Sequence, residues 1–560
     1  MASMPPLRPR RPHSRAQQSR SWHTMHSLSP DASWHAPAPG VNKGSKRFET
    51  PLLGSFYLTD LVVAAVTVAW NVLCTCTLVE TLDLLYFALV YHVGGGLWRD
   101  MRRLHFSPQG AQGLFHLYML CFMHMLLQHA PFLPPRIALA AESTGPLVQW
   151  RTGGGAAQVI RAYWHAPAFR AFWMGGTSMQ TNRTVVLYVH GGGFALGSVA
   201  LYAEPLLRLL AHMSLRRPSS AVECVALEYE LAPHVRFPTP LLEALRCYAH
   251  LIEHEHIPPS QIVVAGDSAG ANLVMGLLLC LAGQATADVS ERDWCALPMP
   301  AKAVLISPWL DLRPQEAVAV KSVRASCAPA FDILTPESLV QFAQLYTQRL
   351  LRPRRLRGPC TRWLTRLQRC CSWRPAAWLA ARLQRPLLMR HAPLIQLADA
   401  STDAVPGPRD MLDASSLAAP KCAADRLLHA HPLVSPTLGR WDAVRLEHGF
   451  FVTWGANELM APDIAAWTAR LPHVETYVEP GPTGVHVWPF LHALLAPTVH
   501  DRERGLQRIA HALCLPSPPS VLSSPASMPS DVEDDGESAA AAQRAWDAEL
   551  ARLGVHASGQ

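Results

Sequence analysis

The sequence lacks the devices that tie a chain together without a packed core. Its 13 cysteines are scattered, with no C-x-x-C pair and no metal-ligand spacing, which removes a zinc module and a disulfide scaffold as organising principles. No internal repeat and no glycine-rich nucleotide loop occurs, so the reading calls for no cofactor and no metal. Charge is sparse as well: charged residues make up 16% of the 560, and the net charge of +7 comes from two clusters, near the N-terminus and between about 349 and 390. A nucleic-acid-binding face needs basic residues spread over one surface, so nucleic acid is not expected as a partner.

What the chain has is apolar residues, 49% of the total, enough for one large α/β domain with appendages. Residues 1–48 are rich in Pro, Ser, His and Arg, with almost no acid, and read as a disordered basic arm. Residues 61–79 then contain no charge. As a helix they would be about 28 Å long against a hydrocarbon thickness of ~30 Å, so 57–93 is expected to be a membrane anchor, with a buried core helix as the alternative. Lys43, Lys46 and Arg47 precede this stretch, while Arg99, Arg102 and Arg103 lie well beyond it. The bias predicts a cytosolic N-terminus and a lumenal catalytic domain, in which Asn182 would be a glycosylation acceptor. Residues 94–180 read as lid or interfacial helices and a lead-in, with His116 and His124 as packed or capping histidines.

From 185 the pattern becomes alternating β and α, which predicts a mostly parallel sheet with helices on both faces. Strands are expected at 185–189, 224–228, 262–265, 303–306, 450–454 and 474–478, and a helix at 238–253. A basic, tryptophan-bearing insertion at about 349–428 interrupts this domain of 181–510. It suits either an anionic membrane surface or a solvated excursion. Residues 511–560 read as a disordered acidic tail.

Ser268 sits between a strand and a helix, flanked by Gly266 and Gly270 at the G-x-S-x-G spacing, with Asp267 before it and Ala269 after. That spacing suits a nucleophile elbow, whose strained turn leaves no room for side chains beside the serine. A serine nucleophile needs a base, and the base needs a carboxylate. Glu458 and His486 follow in the order Ser, acid, His, each directly after an expected strand, with Asp463 as a rival acid. Upstream, His190-Gly191-Gly192-Gly193 ends another strand, and the N–H groups of Gly192, Gly193 and Ala269 are the candidate oxyanion donors.

H-G-G-G-F at 190–194, Y-E-L-A-P at 229–233, G-D-S-A-G at 266–270 and G-V-H-V-W-P at 484–489 together resemble the hormone-sensitive-lipase-like branch of the α/β-hydrolases. The apolar N-terminal segment, G-A-N-E-L at 455–459 and V-H-V-W-P are similar to fungal steryl acetyl hydrolases. That resemblance implies an α/β-hydrolase fold with a transmembrane anchor and helical lid. It also implies an endoplasmic-reticulum enzyme that removes acetyl or short acyl groups from sterols or other lipophilic alcohols. The implied partners are a lipophilic ester substrate and membrane lipid; the oligomeric state stays open. Glu230, where arginine is usual, and the insertion depart from the pattern. An arylamidase of the same fold and an inactive ligand-binding member are the alternatives.

Overall fold

Short apolar runs, most of them buried along their whole length, form one sheet in the computed structural model of the chain. It describes residues 58–103, 110–128, 139, 141–151, 159–165, 167–175, 183–217, 220–313, 331–347, 430–496 and 498–515. The expected basic arm, Asn182, the insertion at 349–428 and the tail from 516 onward lie outside these residues. The strands are β1 (Ile160–His165), β2 (Phe169–Met174), β3 (Arg183–Val189), β4 (Ala221–Leu227), β5 (Ile262–Asp267), β6 (Lys302–Ile306), β7 (Phe450–Gly455) and β8 (Val474–Glu479). Their order across the sheet is β1-β2-β4-β3-β5-β6-β7-β8. Only β2 runs against its neighbours.

Among the described residues, five helices precede or lead into the sheet: α1 (Leu58–Thr75), α2 (Leu78–Val93), α3 (Gly96–Arg103), α4 (Gly110–Gln128) and α5 (Ala141–Arg151). The structure gives no support to the membrane-spanning helix expected over 61–79. The helix stops at Thr75, and among the described residues no helix is long and apolar enough to cross a membrane. The physical reason lies in what α1 packs against. Asp60 is fully buried and accepts from Arg151 Nη1 at 2.6 Å and from Trp150 Nε1 at 3.1 Å. Arg151 also makes a bidentate pair with Glu204, at 2.6 and 2.7 Å. Glu204 belongs to α6 (Val199–Arg216), a helix packed directly on the sheet. A helix crossing the hydrocarbon has no use for a carboxylate tied to α5 and α6, so this ion cluster docks α1 on the folded domain.

The remaining α-helices among the described residues are α7 (Thr239–Glu253), α8 (Ser268–Leu279), α9 (Pro336–Thr347), α10 (Ala461–Thr468), α11 (Trp488–Leu495) and α12 (Val499–Leu513). Alternate strand residues feed two cores. Val185, Leu187, Ile262 and Val264 pack with α7 and α8, whereas Val186, Tyr188, Val263 and Ala265 pack with α6 and α12. Because α12 runs to Leu513, the folded domain extends past the tail boundary expected at 511. Strands β1 and β2 also fall where the sequence predicts only lid and lead-in. The edge strand β1 has no fully buried side chain, so it carries no apolar face by which to be read.

Candidate active site

The turn from β5 into α8 holds Ser268 at φ 50°, the left-handed region that side chains avoid. Its flanking glycines are there for space. A Cβ on Gly270 would lie 2.1 Å from the Val189 carbonyl oxygen, and one on Gly266 2.8 Å from the same atom. Both contacts are with β3, so the close approach of the elbow to the neighbouring strand is what excludes any larger residue.

Asp267 ties this elbow to the glycine loop after β3. Its Oδ1 accepts from the Gly191 N–H at 2.9 Å and the Tyr188 hydroxyl at 2.7 Å, and its Oδ2 from the Tyr202 hydroxyl at 2.8 Å. Burial holds the Asp267 carboxyl above its usual range, opposed by these donors. Gly192 and Gly193 take φ 117° and 60°. Cβ atoms there would meet the Leu196 carbonyl oxygen at 2.1 Å and the Phe342 ring at 2.5 Å. His190 is buried, donates from Nδ1 to the Gly191 carbonyl at 2.8 Å and stacks on Tyr229 at 4.4 Å. Tyr229 in turn donates to the His190 carbonyl at 3.0 Å. Desolvation pushes the His190 imidazole down to about 4, so it is neutral at pH 7. Glu230, the departure from the family pattern, is exposed and uses its N–H on Glu243 Oε2 at 2.9 Å.

His486, on the loop after β8, brings Nε2 to 2.8 Å from Ser268 Oγ. Its Nδ1 stands 3.5 Å from Glu458 Oε2. The three residues are 4%, 7% and 1% exposed respectively, so the cluster is shut off from bulk water. Asp463 lies in the first turn of α10, and Glu458 is the carboxyl that meets the imidazole. Burial pushes the Glu458 carboxyl up to about 8, opposed by the Ser307 hydroxyl and the Gly455 main chain. His486 is lowered by burial, and Asp332 followed by Asp267 pull it back. An imidazole kept neutral beside a serine oxygen on a strained turn can accept that oxygen's proton.

Several supporting residues carry no signal in the linear pattern. Ser307, at φ 45°, accepts from the Val487 N–H at 3.0 Å and so fixes the histidine loop. Tyr188 appears in sequence only as a member of the strand at 185–189, and Tyr202 falls in no expected element. Asp332 belongs to no motif named above, yet its carboxylate reaches both the His486 and Leu459 main chains.

Residues 186–371 match the family model described as an alpha/beta hydrolase fold. The domain has the α/β-hydrolase fold, and its resemblance is to the hormone-sensitive-lipase-like branch. Among characterised relatives, the "Acetyl-hydrolase" of Streptomyces hygroscopicus is 38% identical over 134 residues, 24% of this chain and 38% of that protein. "Neutral cholesterol ester hydrolase 1" of Rattus norvegicus is 35% identical over 101 residues, 17% of this chain and 23% of that one. The chain thus spans less than half the length of either relative. Among solved structures, an esterase from the bacterial hormone-sensitive lipase family is 19% identical over 74% of this chain and 95% of its own, with a TM-score of 0.39.

Proposed function

We propose that the protein is a serine ester hydrolase that removes acetyl or short acyl groups from a lipophilic alcohol of the sterol type. The observation that carries the reading is the 2.8 Å contact between His486 Nε2 and Ser268 Oγ on a strained elbow. In this mechanism His486 takes the serine proton as Ser268 attacks the ester carbonyl. Glu458, across 3.5 Å, is placed to stabilise the imidazolium that results, and that cation in turn draws the raised carboxyl pKa back down. The N–H groups of Gly192, Gly193 and Ala269 receive the oxyanion, a role in which each donor is worth ~3 kcal/mol. His486 then returns the proton to the leaving alcohol. Water, activated by the same imidazole, releases the acid and regenerates the serine.

Acetyl and cholesterol esters enter from the names of the two relatives. Large apolar side chains exposed on α1 and α2, among them Val66, Trp70, Leu85 and Leu89, support a membrane-surface location in place of a span. The endoplasmic reticulum is the membrane proposed. Microsomes washed first with high salt and then with alkaline carbonate test this: a chain held at the surface by apolar side chains should resist salt and be released by carbonate, and release by high salt alone would contradict it. For the activity, sterol acetate, p-nitrophenyl acetate and the matched anilide are compared with wild-type and Ser268→Ala protein. Ester turnover lost in the variant is expected, and ester turnover retained by it would refute the assignment.

A further inference from the structure

Glu458 and His486 stand on separate loops, after β7 and after β8, and the spacing of those loops decides whether the acid can serve the base. The direct contact between them is long. Neither Glu458 oxygen nor His486 Nδ1 completes hydrogen-bond geometry with any group among the described residues. A second carboxylate does join the loops. Asp332, just ahead of α9, accepts from the His486 N–H at 2.9 Å and the Ile333 N–H at 2.7 Å through Oδ1. Its Oδ2 accepts from the Leu459 N–H, next to Glu458, at 2.8 Å. Its own carbonyl accepts from His124 Nδ1 of α4 at 2.7 Å, so the aspartate is held from the opposite side as well.

We propose that Asp332 is a positioning residue of this site: it bridges the acid loop to the histidine loop and places a carboxylate beside the imidazole. The inference rests on the ester-hydrolase reading given above. Three backbone N–H groups on one buried carboxylate make a rigid tie, because each is a charge-assisted bond in a water-poor setting. The tie is also electrostatic. Burial raises both Asp332 and Glu458 above the usual carboxylate range, with the His486 imidazole drawing Asp332 back down and Glu458 raising it further. Among neighbouring charges it acts most strongly on His486, ahead of Asp267. The other groups around the pair are Glu458, Ser268 and, behind Asp332, His124, which itself feels Asp100 and Arg103 of α3.

A purely structural tie and a charged one give different results in the pH profile: asparagine keeps one oxygen for the His486 and Ile333 N–H groups, removes the charge and gives up the bond from Leu459. Asp332→Asn and the smaller Asp332→Ser, made in the full chain, are assayed with p-nitrophenyl acetate across pH, alongside wild type and Ser268→Ala. The expected result is a kcat lower by roughly 10–100-fold with KM within about twofold of wild type, the pattern of an interaction used in the transition state. The acid limb of kcat/KM should also move to lower pH, because an imidazole that loses a neighbouring anion protonates less readily. Either variant, once folded, can show that shift. A limb that stays in place in both variants would overturn the inference while leaving the hydrolase reading intact. An inert wild-type chain would overturn both.

Discussion

Arg151→Met tests whether the N-terminal helices are part of the folded domain. The guanidinium is buried and makes three short bonds: one to Asp60 of α1 at 2.6 Å, and two to Glu204 of α6 at 2.6 and 2.7 Å. Methionine keeps most of the volume and removes the charge, leaving two buried carboxylates with no cation between them. Breaking a buried ion network in this way costs ~3–5 kcal/mol, a third or more of the stability of many domains. At ~2 °C per kcal/mol for a domain of this size, thermal unfolding should come roughly 6–10 °C earlier. Circular dichroism reads the melt, and limited proteolysis shows whether α1 is released first. Neutralising the whole cluster with Asp60→Asn, Arg151→Met and Glu204→Gln should recover most of the loss, because no charge is then stranded. An Arg151→Met melt within about 1 °C of wild type would refute the docking of α1 and α5 onto α6.

Two further outcomes follow from the same geometry. Gly192→Ala places a Cβ 2.1 Å from the Leu196 carbonyl oxygen at φ 117°. Esterase kcat should fall by about 10²–10³-fold, the cost of losing one oxyanion donor, while the melting temperature changes far less; unchanged kcat would contradict the assignment of that loop. Buried, neutral His190 and His116 are pushed down to about 4, and His492 to about 3. Their folded pKa values lie below the ordinary 6.5, so the stability they carry is present above pH 6.5 and is lost as pH falls toward 4, by ~3 kcal/mol for each. Urea midpoints at pH 7 and pH 5 measure this. His492→Gln should weaken the dependence, and an unchanged slope would argue against its burial in the neutral form.

Strands β3 to β7 were legible because strands buried in a parallel sheet are near-continuous apolar runs, as in 262–265 and 303–306, and the edge strand β8 by its alternation of Val474, Thr476 and Val478 with Glu475, Tyr477 and Glu479. The elbow was legible because Gly266 and Gly270 answer to a local clash with β3. What escaped was decided by contacts far along the chain. Asp332 meets main-chain groups 127 and 154 residues away, a distance over which no periodicity carries information. The 61–79 stretch has the composition of a span, and composition does not register that Asp60, just before it, is paired with an arginine 91 residues later. β1 escaped for the opposite reason: as an edge strand it buries too little to leave a pattern.

The most direct measurement is labelling of the purified full chain by a serine-reactive fluorophosphonate, followed by peptide mapping and repeated with Ser268→Ala and His486→Ala. A single adduct on Ser268 is expected, absent from the first variant and slowed by orders of magnitude in the second. Labelling that persists in Ser268→Ala, or no labelling of the folded wild-type chain, would contradict a nucleophile at this turn.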